Sequence, residues 1–216
     1  MKTLRATIKG WTASWRFPFL AVVQPTLPVP APSTIYGILS AVAGKPVGLD
    51  VTLVGFVASS HGKAEDLEWI YQVGEEGKIE KTNVIKREFL YAPELYLYTT
   101  NLNMAGYFDS PCYPLLLGRS CDLARLVETR VLDLSPVEEA EFRDTLLPYP
   151  WAGVAAPVVA LPMAFTDTVP RKAIAVRPFY IIGSKPMRVR REAGRRIFLD
   201  PEKGWGVYFH GPVRQG

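Results

Sequence analysis

The chain has 216 residues, 48% of them hydrophobic, which suffices for one domain with a substantial core and excludes an intrinsically disordered protein. Two cysteines are too few for a disulfide framework, and early basic residues interrupt any apolar run that could serve as a signal peptide. The longest apolar stretch is too short to span a bilayer, so we expect a cytoplasmic protein without membrane contact. The net charge is +4, but residues 1–50 and 165–216 are basic and the middle is acidic, as expected either for an anionic ligand opposite a protein neighbour or for ordinary solvated charge.

The first predicted element is a half-buried strand over residues 2–11, where apolar and polar residues alternate. Its polar face carries Arg5, Lys9 and Trp11, and basic residues with an indole suit a nucleic-acid surface. In the following run, Trp15-Arg16-Phe17, the arginine is expected to pair with a phosphate while a ring stacks on a base. The alternative is that the rings belong to the core and Arg16 is a surface charge.

A proline-rich arm and a helix come next. Four prolines within residues 24–32 fix φ and lack an N–H, so this segment should run extended. Ser33 or Thr34 can cap the helix that follows, and Gly44 is placed to end it. An arm that delivers Thr34 and Tyr36 to a helix N-terminus suits a phosphate or a stacked base. A helix cap and a buried tyrosine explain the same residues without a ligand.

The middle of the chain is predicted to hold strands, a turn and a loop. The strands cover residues 51–58, 67–73 and 79–100, the turn lies at 74–78, and the loop at 104–114. Lys86 and Arg87 are adjacent in a strand and therefore point to opposite faces, so only one of them can grip a given phosphate. Gly118-Arg119-Ser120 predicts an arginine at the start of a short helix, where an anion can bind, unless Arg119 pairs with an acid.

The last third of the chain is predicted to be rich in strands and basic residues. A capping box at Ser135 predicts a helix over residues 136–147, and strands are predicted at 158–165, 173–182, 187–191 and 205–209. The densest basic cluster contains Arg188, Arg190 and Arg191, which either contact nucleic acid or are solvated. Strand–helix–strand followed by more strands indicates an α+β fold with a split βαβ, ferredoxin-like core.

Four segments, in this order along the chain, resemble the Cas-five family, the RAMP-type subunits of type I CRISPR surveillance complexes. They are Trp15-Arg16-Phe17, the arm and helix start from Gln24 to Gly37, Lys86-Arg87-Glu88-Phe89-Leu90, and Leu117-Gly118-Arg119-Ser120-Cys121-Asp122-Leu123. Cys121 departs from the family, where relatives often carry a polar residue. The resemblance is closest to the type I-B-like branch.

The resemblance implies one RAMP-type domain over residues 1–216, with an RRM-like core. An inserted β-hairpin "thumb" is expected at residues 74–110, and a basic, β-rich C-terminal part at 157–216. The implied function is that of an RNA-binding structural subunit of Cascade in antiviral defence. Such a subunit binds the 5′ handle of the crRNA, caps the backbone filament next to the large subunit, and meets target DNA only through the complex.

The predicted RNA-binding residues combine the motifs with the basic positions, and no cofactor or metal is expected. They are Arg5, Lys9, Trp15, Arg16, Phe17, Thr34, Tyr36, Lys86, Arg87, Arg119, Ser120, Arg188, Arg190 and Arg191.

The alternative function is a metal-independent endoribonuclease that processes precursor crRNA. Some relatives of the family cleave RNA with a tyrosine and a Lys-His pair, because cleavage needs a proton acceptor and a proton donor. The two histidines of this chain are His61 and His210, and neither stands next to a lysine. We therefore expect a non-catalytic subunit.

Overall fold

The fold is mostly β: the computed structural model describes residues 1–17, 20 and 23–212, with 50% of the structure in strands and 9% in helices. Of the helices in these ranges, none is long and apolar enough to cross a bilayer. The elements in chain order are β1 (Lys2–Gly10), β2 (Thr12–Ala13), β3 (Val23–Gln24), α1 (Pro32–Ala43), β4 (Val54–Ser59), β5 (Gly62–Val73), β6 (Ile79–Tyr91), β7 (Glu94–Thr99), α2 (Met104–Asp109), β8 (Ala124–Asp133), β9 (Ser135–Val137), β10 (Glu139–Phe142), β11 (Thr145–Pro148), β12 (Val158–Phe165), β13 (Ala173–Ile182), β14 (Met187–Arg190), β15 (Ile197–Leu199) and β16 (Gly206–Tyr208).

The central sheet has the order β4-β7-β1-β8, and every neighbouring pair is antiparallel. Helix α1 lies between β1 and β4 in the chain, and α2 lies between β7 and β8. Leu4, Ala6 and Ile8 of β1 point to the helical side and join Ile35 and Leu39 of α1 in the main core. Alternate residues of β1 point to the opposite side of the sheet because side chains alternate along a strand.

Helix α1 forms where the sequence predicts it but begins differently. Pro32 occupies the first helical turn, Ala31 is the N-cap, and no side chain caps the helix, so the prediction that Ser33 or Thr34 is the cap is wrong. Proline suits this position because the N–H that it lacks would have no hydrogen-bond partner in the first turn of a helix. Gly44 ends the helix at φ 66°, in the left-handed region, as predicted.

The hairpin is formed by β5 and β6, which are paired from Gly62↔Tyr91 to Val73↔Ile79. It therefore spans residues 62–91, and the predicted bounds of 74–110 are wrong. Residues 94–99 form β7, a buried strand of the central sheet, and α2 replaces the loop predicted over 104–114. Most side chains of β5 are exposed, so this hairpin projects from the body of the protein.

The C-terminal part contains strands where a helix was predicted at 136–147. Ala140 and Phe142 are buried while Glu139 and Glu141 are exposed, a period of two that suits a strand and places both apolar side chains in a second core. This non-local burial overrides the local capping box at Ser135. The strand β15 was not predicted. The last four residues of the predicted C-terminal part, 213–216, lie outside the described residues.

Candidate nucleic-acid interface

The face of the central sheet opposite the helices is closed by the end of the chain. Phe198, Val207 and Phe209 pack there against Tyr96 and Tyr98 of β7. A sheet that binds RNA on an open face needs exposed aromatic side chains on its central strands. Here Tyr98 is 0% exposed, so this face offers no stacking surface.

The same cover buries Arg5, which was predicted to face outward; that prediction of its orientation is wrong. Arg5 is 1% exposed, and its guanidinium donates to Asp200 Oδ2 at 2.8 Å and to Glu202 Oε2 at 2.6 Å. The Tyr98 hydroxyl donates to the same Asp200 oxygen at 2.7 Å. Burial alone would raise the pKa of Asp200, but the hydrogen bonds from Tyr98 and Arg5 hold it below its usual value. Arg5 therefore anchors the C-terminal segment to the sheet.

The four segments that carry the resemblance meet where the hairpin leaves the body. We call this region the hairpin root and define it as residues 12–17, 23–27, 86–91 and 116–123. Within it, β2 pairs with the end of β6, β3 pairs with Lys86 and Arg87, and the Ser14 N–H donates to the Leu117 carbonyl at 2.9 Å. Segments more than 100 residues apart in sequence are thus joined in one hydrogen-bonded region.

Glu88 organises the root through both its carboxylate and its backbone. Its carboxylate accepts hydrogen bonds from the Thr26 N–H at 3.1 Å and from Lys63 Nζ at 2.8 Å. Its carbonyl accepts a hydrogen bond from the Ser14 hydroxyl at 3.2 Å. Glu88 therefore ties the arm, β5 and the Trp15 segment to β6. This role could not be predicted from the sequence motif, because a carboxylate is not expected to contact RNA and its protein partners are distant in sequence.

Residues 116–123 form a tight loop, so the short helix predicted after Ser120 is wrong. The Asp122 N–H donates to the Arg119 carbonyl at 3.0 Å, and Leu116 and Leu123 form an isolated β-bridge. Gly118 has φ 135°, and a Cβ atom there would lie 2.1 Å from the Ser14 carbonyl oxygen. Only glycine fits, because the conformation excludes other residues and the two backbones touch.

Arg119 is fixed over the hairpin by Asp122. Its guanidinium lies 5.4 Å from the centre of the Phe89 ring and donates to Asp122 Oδ1 at 3.0 Å. The hydrogen bond with Asp122 raises the pKa of Arg119, although burial opposes this. Ser120 beside it is exposed. The sequence left open an anion site or an acid partner, and the structure contains the acid partner.

Lys86 and Arg87 point to opposite faces of the hairpin, as predicted. Arg87 is half-buried and paired with Glu68, whereas Lys86 is exposed opposite Leu67. Lys86 and Leu67 line a shallow cavity of about 380 Å³ together with two acidic residues, Glu65 and Asp66. Within the described ranges, no carboxylate lies within ion-pair distance of Lys86. Lys86 is therefore the more available cation for a phosphate.

The remaining predicted residues near the root divide into buried and exposed side chains. Trp15 is 2% exposed and belongs to the core, and Phe17 is partly buried against it, so the core alternative holds for these rings. Arg16 is exposed beside them and forms a β-bridge with Thr26. Arg16 is thus available to a ligand, while the Trp15 ring is not.

Tyr36 cannot stack on a base, because it is 3% exposed and its hydroxyl donates to the Thr52 carbonyl at 2.9 Å. Burial raises the pKa of this hydroxyl well above its usual value. Thr34, in the first turn of α1, is half-buried. At the end of β1, Lys9 is exposed and pairs with Glu94 at 3.2 Å.

The basic cluster of the C-terminal part lies in the separate sheet β10-β14, outside the hairpin root. Arg188 pairs with Glu139 at 3.4 Å and Arg191 pairs with Glu138 at 2.9 Å. These two acids reduce the charge that the sequence suggested. Arg190 is exposed, and its carbonyl accepts a hydrogen bond from the Trp151 indole at 2.9 Å.

The two histidines have opposite surroundings. His61 is exposed, and its backbone N–H donates to the Tyr91 carbonyl at 2.9 Å. His210 is buried among the rings of Phe56, Phe179 and Tyr208, and burial lowers its pKa to about 3. His210 is therefore neutral at physiological pH and has no access to solvent. Among the described residues, no group of His, Cys, Asp and Glu side chains forms a potential metal site.

Comparison with known proteins gives a family match for the first part of the chain and a shared fold. Residues 3–87 match the model of the family described as CRISPR-associated protein (Cas_Cas5). A chain of a CRISPR RNA-guided surveillance complex aligns with a TM-score of 0.62 at 17% identity, over 89% of this chain and 95% of its own length. No curated protein matches the sequence.

Two further structures share the fold. A CRISPR protein from Archaeoglobus fulgidus aligns with a TM-score of 0.55 at 10% identity, covering 98% of this chain and 100% of its own. A chain of a type III-B Cmr-beta complex bound to cognate target RNA aligns with a TM-score of 0.56 at 13% identity, covering 88% of this chain and 86% of its own.

Proposed function

We propose that this chain is an RNA-binding structural subunit of a type I CRISPR surveillance (Cascade) complex. Its match over residues 3–87 supports the predicted Cas-five family. In this role it binds the 5′ handle of the crRNA and caps the backbone filament next to the large subunit. The observation that carries the proposal is the convergence of the four family segments on the hairpin root. Residues that are separated in sequence but are brought together, with Arg16 and Lys86 exposed among them, are expected to serve one ligand.

The architecture supports a ferredoxin-like RAMP core within this proposal. The chain order β1-α1-β4-β7-α2-β8, with the sheet order β4-β7-β1-β8, is the arrangement of a split βαβ unit followed by a second one. The hairpin β5–β6 leaves this core between its second and third strands, which is a suitable position for a thumb. Because the C-terminal segment covers the sheet, RNA is expected at the root and along the hairpin.

The ligand chemistry follows from which cations are available. Lys86 and Arg16 are exposed at the root, and Arg119 stands over the Phe89 ring with its side chain 14% exposed. Each cation that neutralises a phosphate releases counterions, so log K of binding falls with log salt by about 0.7 per contact on a single strand. We expect the charge-paired Arg188 and Arg191 to contribute less than Lys86.

The test is RNA binding by Lys86→Glu and by Lys185→Glu, which carries the same charge change in the turn between β13 and β14. Binding of 5′-labelled repeat RNA is measured by anisotropy over a series of salt concentrations. Lys86→Glu should weaken binding and reduce the salt slope by about 0.7, whereas Lys185→Glu should behave as wild type. Equal effects of the two variants would show that binding depends on net charge and would contradict a site at the root.

We also propose that the subunit is not a nuclease, and His61 decides this point. His61 is exposed beside Tyr91, whereas His210 is enclosed, so a cleavage reaction would depend on His61. Wild type and His61→Ala are incubated with precursor RNA in chelator and run on denaturing gels. Fragments that end at one repeat position with wild type, and are lost with His61→Ala, would establish the endoribonuclease instead.

A further inference from the structure

Two exposed aromatic residues lie outside the four family segments at the edge of the hairpin root: Tyr91 ends β6, and Trp11 directly precedes β2. Trp11 is 78% exposed and Tyr91 is 50% exposed. They are close because Thr12 pairs directly with Tyr91, and the Ala92 N–H donates to the Trp11 carbonyl at 2.9 Å. Ala92 adopts φ 47°, a conformation uncommon for a residue with a Cβ, to close this connection. We call Trp11 and Tyr91 the aromatic pair.

The aromatic pair is connected to Arg119 through one side chain. The Thr12 hydroxyl donates to Asp122 Oδ1 at 2.6 Å, and Asp122 in turn holds Arg119. These hydrogen bonds hold the backbone next to Trp11 against the Arg119 loop, so we expect an RNA strand with a phosphate at Arg119 to reach Trp11 as well. The backbone is hydrogen-bonded at both ends, through the Trp11 carbonyl and the Arg119 N–H, so the backbone loses little conformational freedom when a ligand binds.

The charges around the aromatic pair favour a nucleic acid over a protein. Lys9 and Arg125 face each other across the β1–β8 ladder, and both are exposed. His61 is exposed next to Tyr91. An aromatic anchor for a protein partner usually lies within a ring of apolar contacts that exclude water. Leu123 is an exposed apolar neighbour on the loop, and Lys9 is paired with Glu94. Among the described residues Arg125 has no ion-pair partner, so this surface keeps a positive charge.

We infer that Trp11 and Tyr91 are two stacking positions for unpaired bases of an RNA strand that is held at the hairpin root. The inference rests on the proposed function, because it needs RNA at the root. Stacking on an aromatic ring tolerates any base, since every base has a π face. The cations then hold the phosphates, and the aromatic pair holds the bases that lie between them.

The experiment measures affinity for single-stranded repeat RNA with the full chain. The variants are Trp11→Ala, Trp11→Phe and Tyr91→Ala, and Tyr113→Ala is the control because Tyr113 is an exposed aromatic, 59% accessible, beside the end of α1. Each alanine variant of the pair should weaken binding by about 5- to 150-fold without changing the salt slope. Trp11→Phe should retain most of the affinity, and Tyr113→Ala all of it.

A second measurement uses RNA with one abasic position moved along the strand. At the position that stacks on Trp11, the abasic RNA should bind wild type as weakly as intact RNA binds Trp11→Ala, with no further loss for the combination. Unchanged affinity of both alanine variants, with Lys86→Glu still impaired, would overturn the inference and leave the proposed function intact. Loss of complex assembly without loss of RNA affinity in Trp11→Ala would overturn it in favour of a protein contact. Failure of the wild type to bind RNA would overturn the proposed function and this inference together.

Discussion

The buried ion pair between Arg5 and Asp200 should control whether the C-terminal segment stays on the central sheet. Arg5 is 1% exposed and Asp200 is 0% exposed, and the two residues are 195 positions apart. Removing one partner of a buried pair leaves an uncompensated charge, which typically costs about 3–5 kcal/mol. We therefore expect Arg5→Ala to lower the free energy of unfolding by about that amount.

Asp200→Ala should cost at least as much, because Asp200 holds more than the arginine. Its carboxylate also accepts from the Tyr98 hydroxyl at 2.7 Å and from the N–H groups of Glu202 at 2.9 Å and Lys203 at 3.1 Å. Arg5 would keep Glu202, at 2.6 Å, as its partner. The double variant Arg5→Ala/Asp200→Ala should lose less than the sum of the two single losses, since neither charge is then left alone.

The assay is urea unfolding of the wild type, both single variants and the double variant. The midpoint and the slope of each transition give the free energy of unfolding in water. A coupling energy of about 2 kcal/mol or more is expected from the shared burial of the pair. Single losses that add within about 0.5 kcal/mol would show that the two side chains act independently and would refute this account.

Two further predictions concern single residues. His210 has a pKa of about 3 in the folded protein and gains a proton on unfolding when the pH lies below its ordinary pKa of about 6.5, so its contribution to the free energy of unfolding is present above pH 6.5 and is lost as the pH falls. The free energy of unfolding should be about 1.4 kcal/mol lower at pH 5.5 than at pH 7.5, and His210→Phe should remove the difference. Gly118→Ala places a Cβ 2.1 Å from the Ser14 carbonyl oxygen and should lower the free energy of unfolding by more than about 2 kcal/mol, whereas Gly153→Ala, at φ 77° with open space around it, should lower it by about 1 kcal/mol. Thermal unfolding compares the two variants, and equal losses would contradict a close approach at Gly118.

The local elements with a strong pattern could be predicted from the sequence. The helix that follows the proline-rich arm and ends at Gly44 was predicted, although its cap was not, and the strands β12 and β13 follow from their composition. The helix predicted at 136–147 was wrong because a capping box is a local signal, whereas Ala140 and Phe142 are buried by β14 and the second core. Burial by a distant segment is not visible in a window of twelve residues.

The candidate site was predicted in its parts but not in its assembly. The four family segments were located by sequence, yet their meeting at the hairpin root depends on pairings such as Gln24 with Arg87 and Ser14 with Leu117. Arg5 and Tyr36 were misplaced because a basic or hydroxyl side chain usually faces water, and here ion pairing and a carbonyl partner make burial favourable. Glu88 was overlooked, and Asp122 was not named as the acid that pairs with Arg119, although each lies inside a motif.

The C-terminal segment that covers the central sheet should determine stability, whereas the hairpin root should determine RNA binding, and the Arg5 variant tests this difference. The cover is held by Arg5, Asp200 and Tyr98, whereas the root is held by Glu88 and Asp122, and the two sets share no hydrogen bond in the described part of the chain. Sites without shared partners usually act additively, within about 0.3–0.5 kcal/mol. Arg5→Ala should therefore lower stability while RNA affinity, measured well below the unfolding temperature, stays within about twofold of wild type. A parallel loss of RNA affinity would mean that the covered sheet, rather than the hairpin root, carries the RNA.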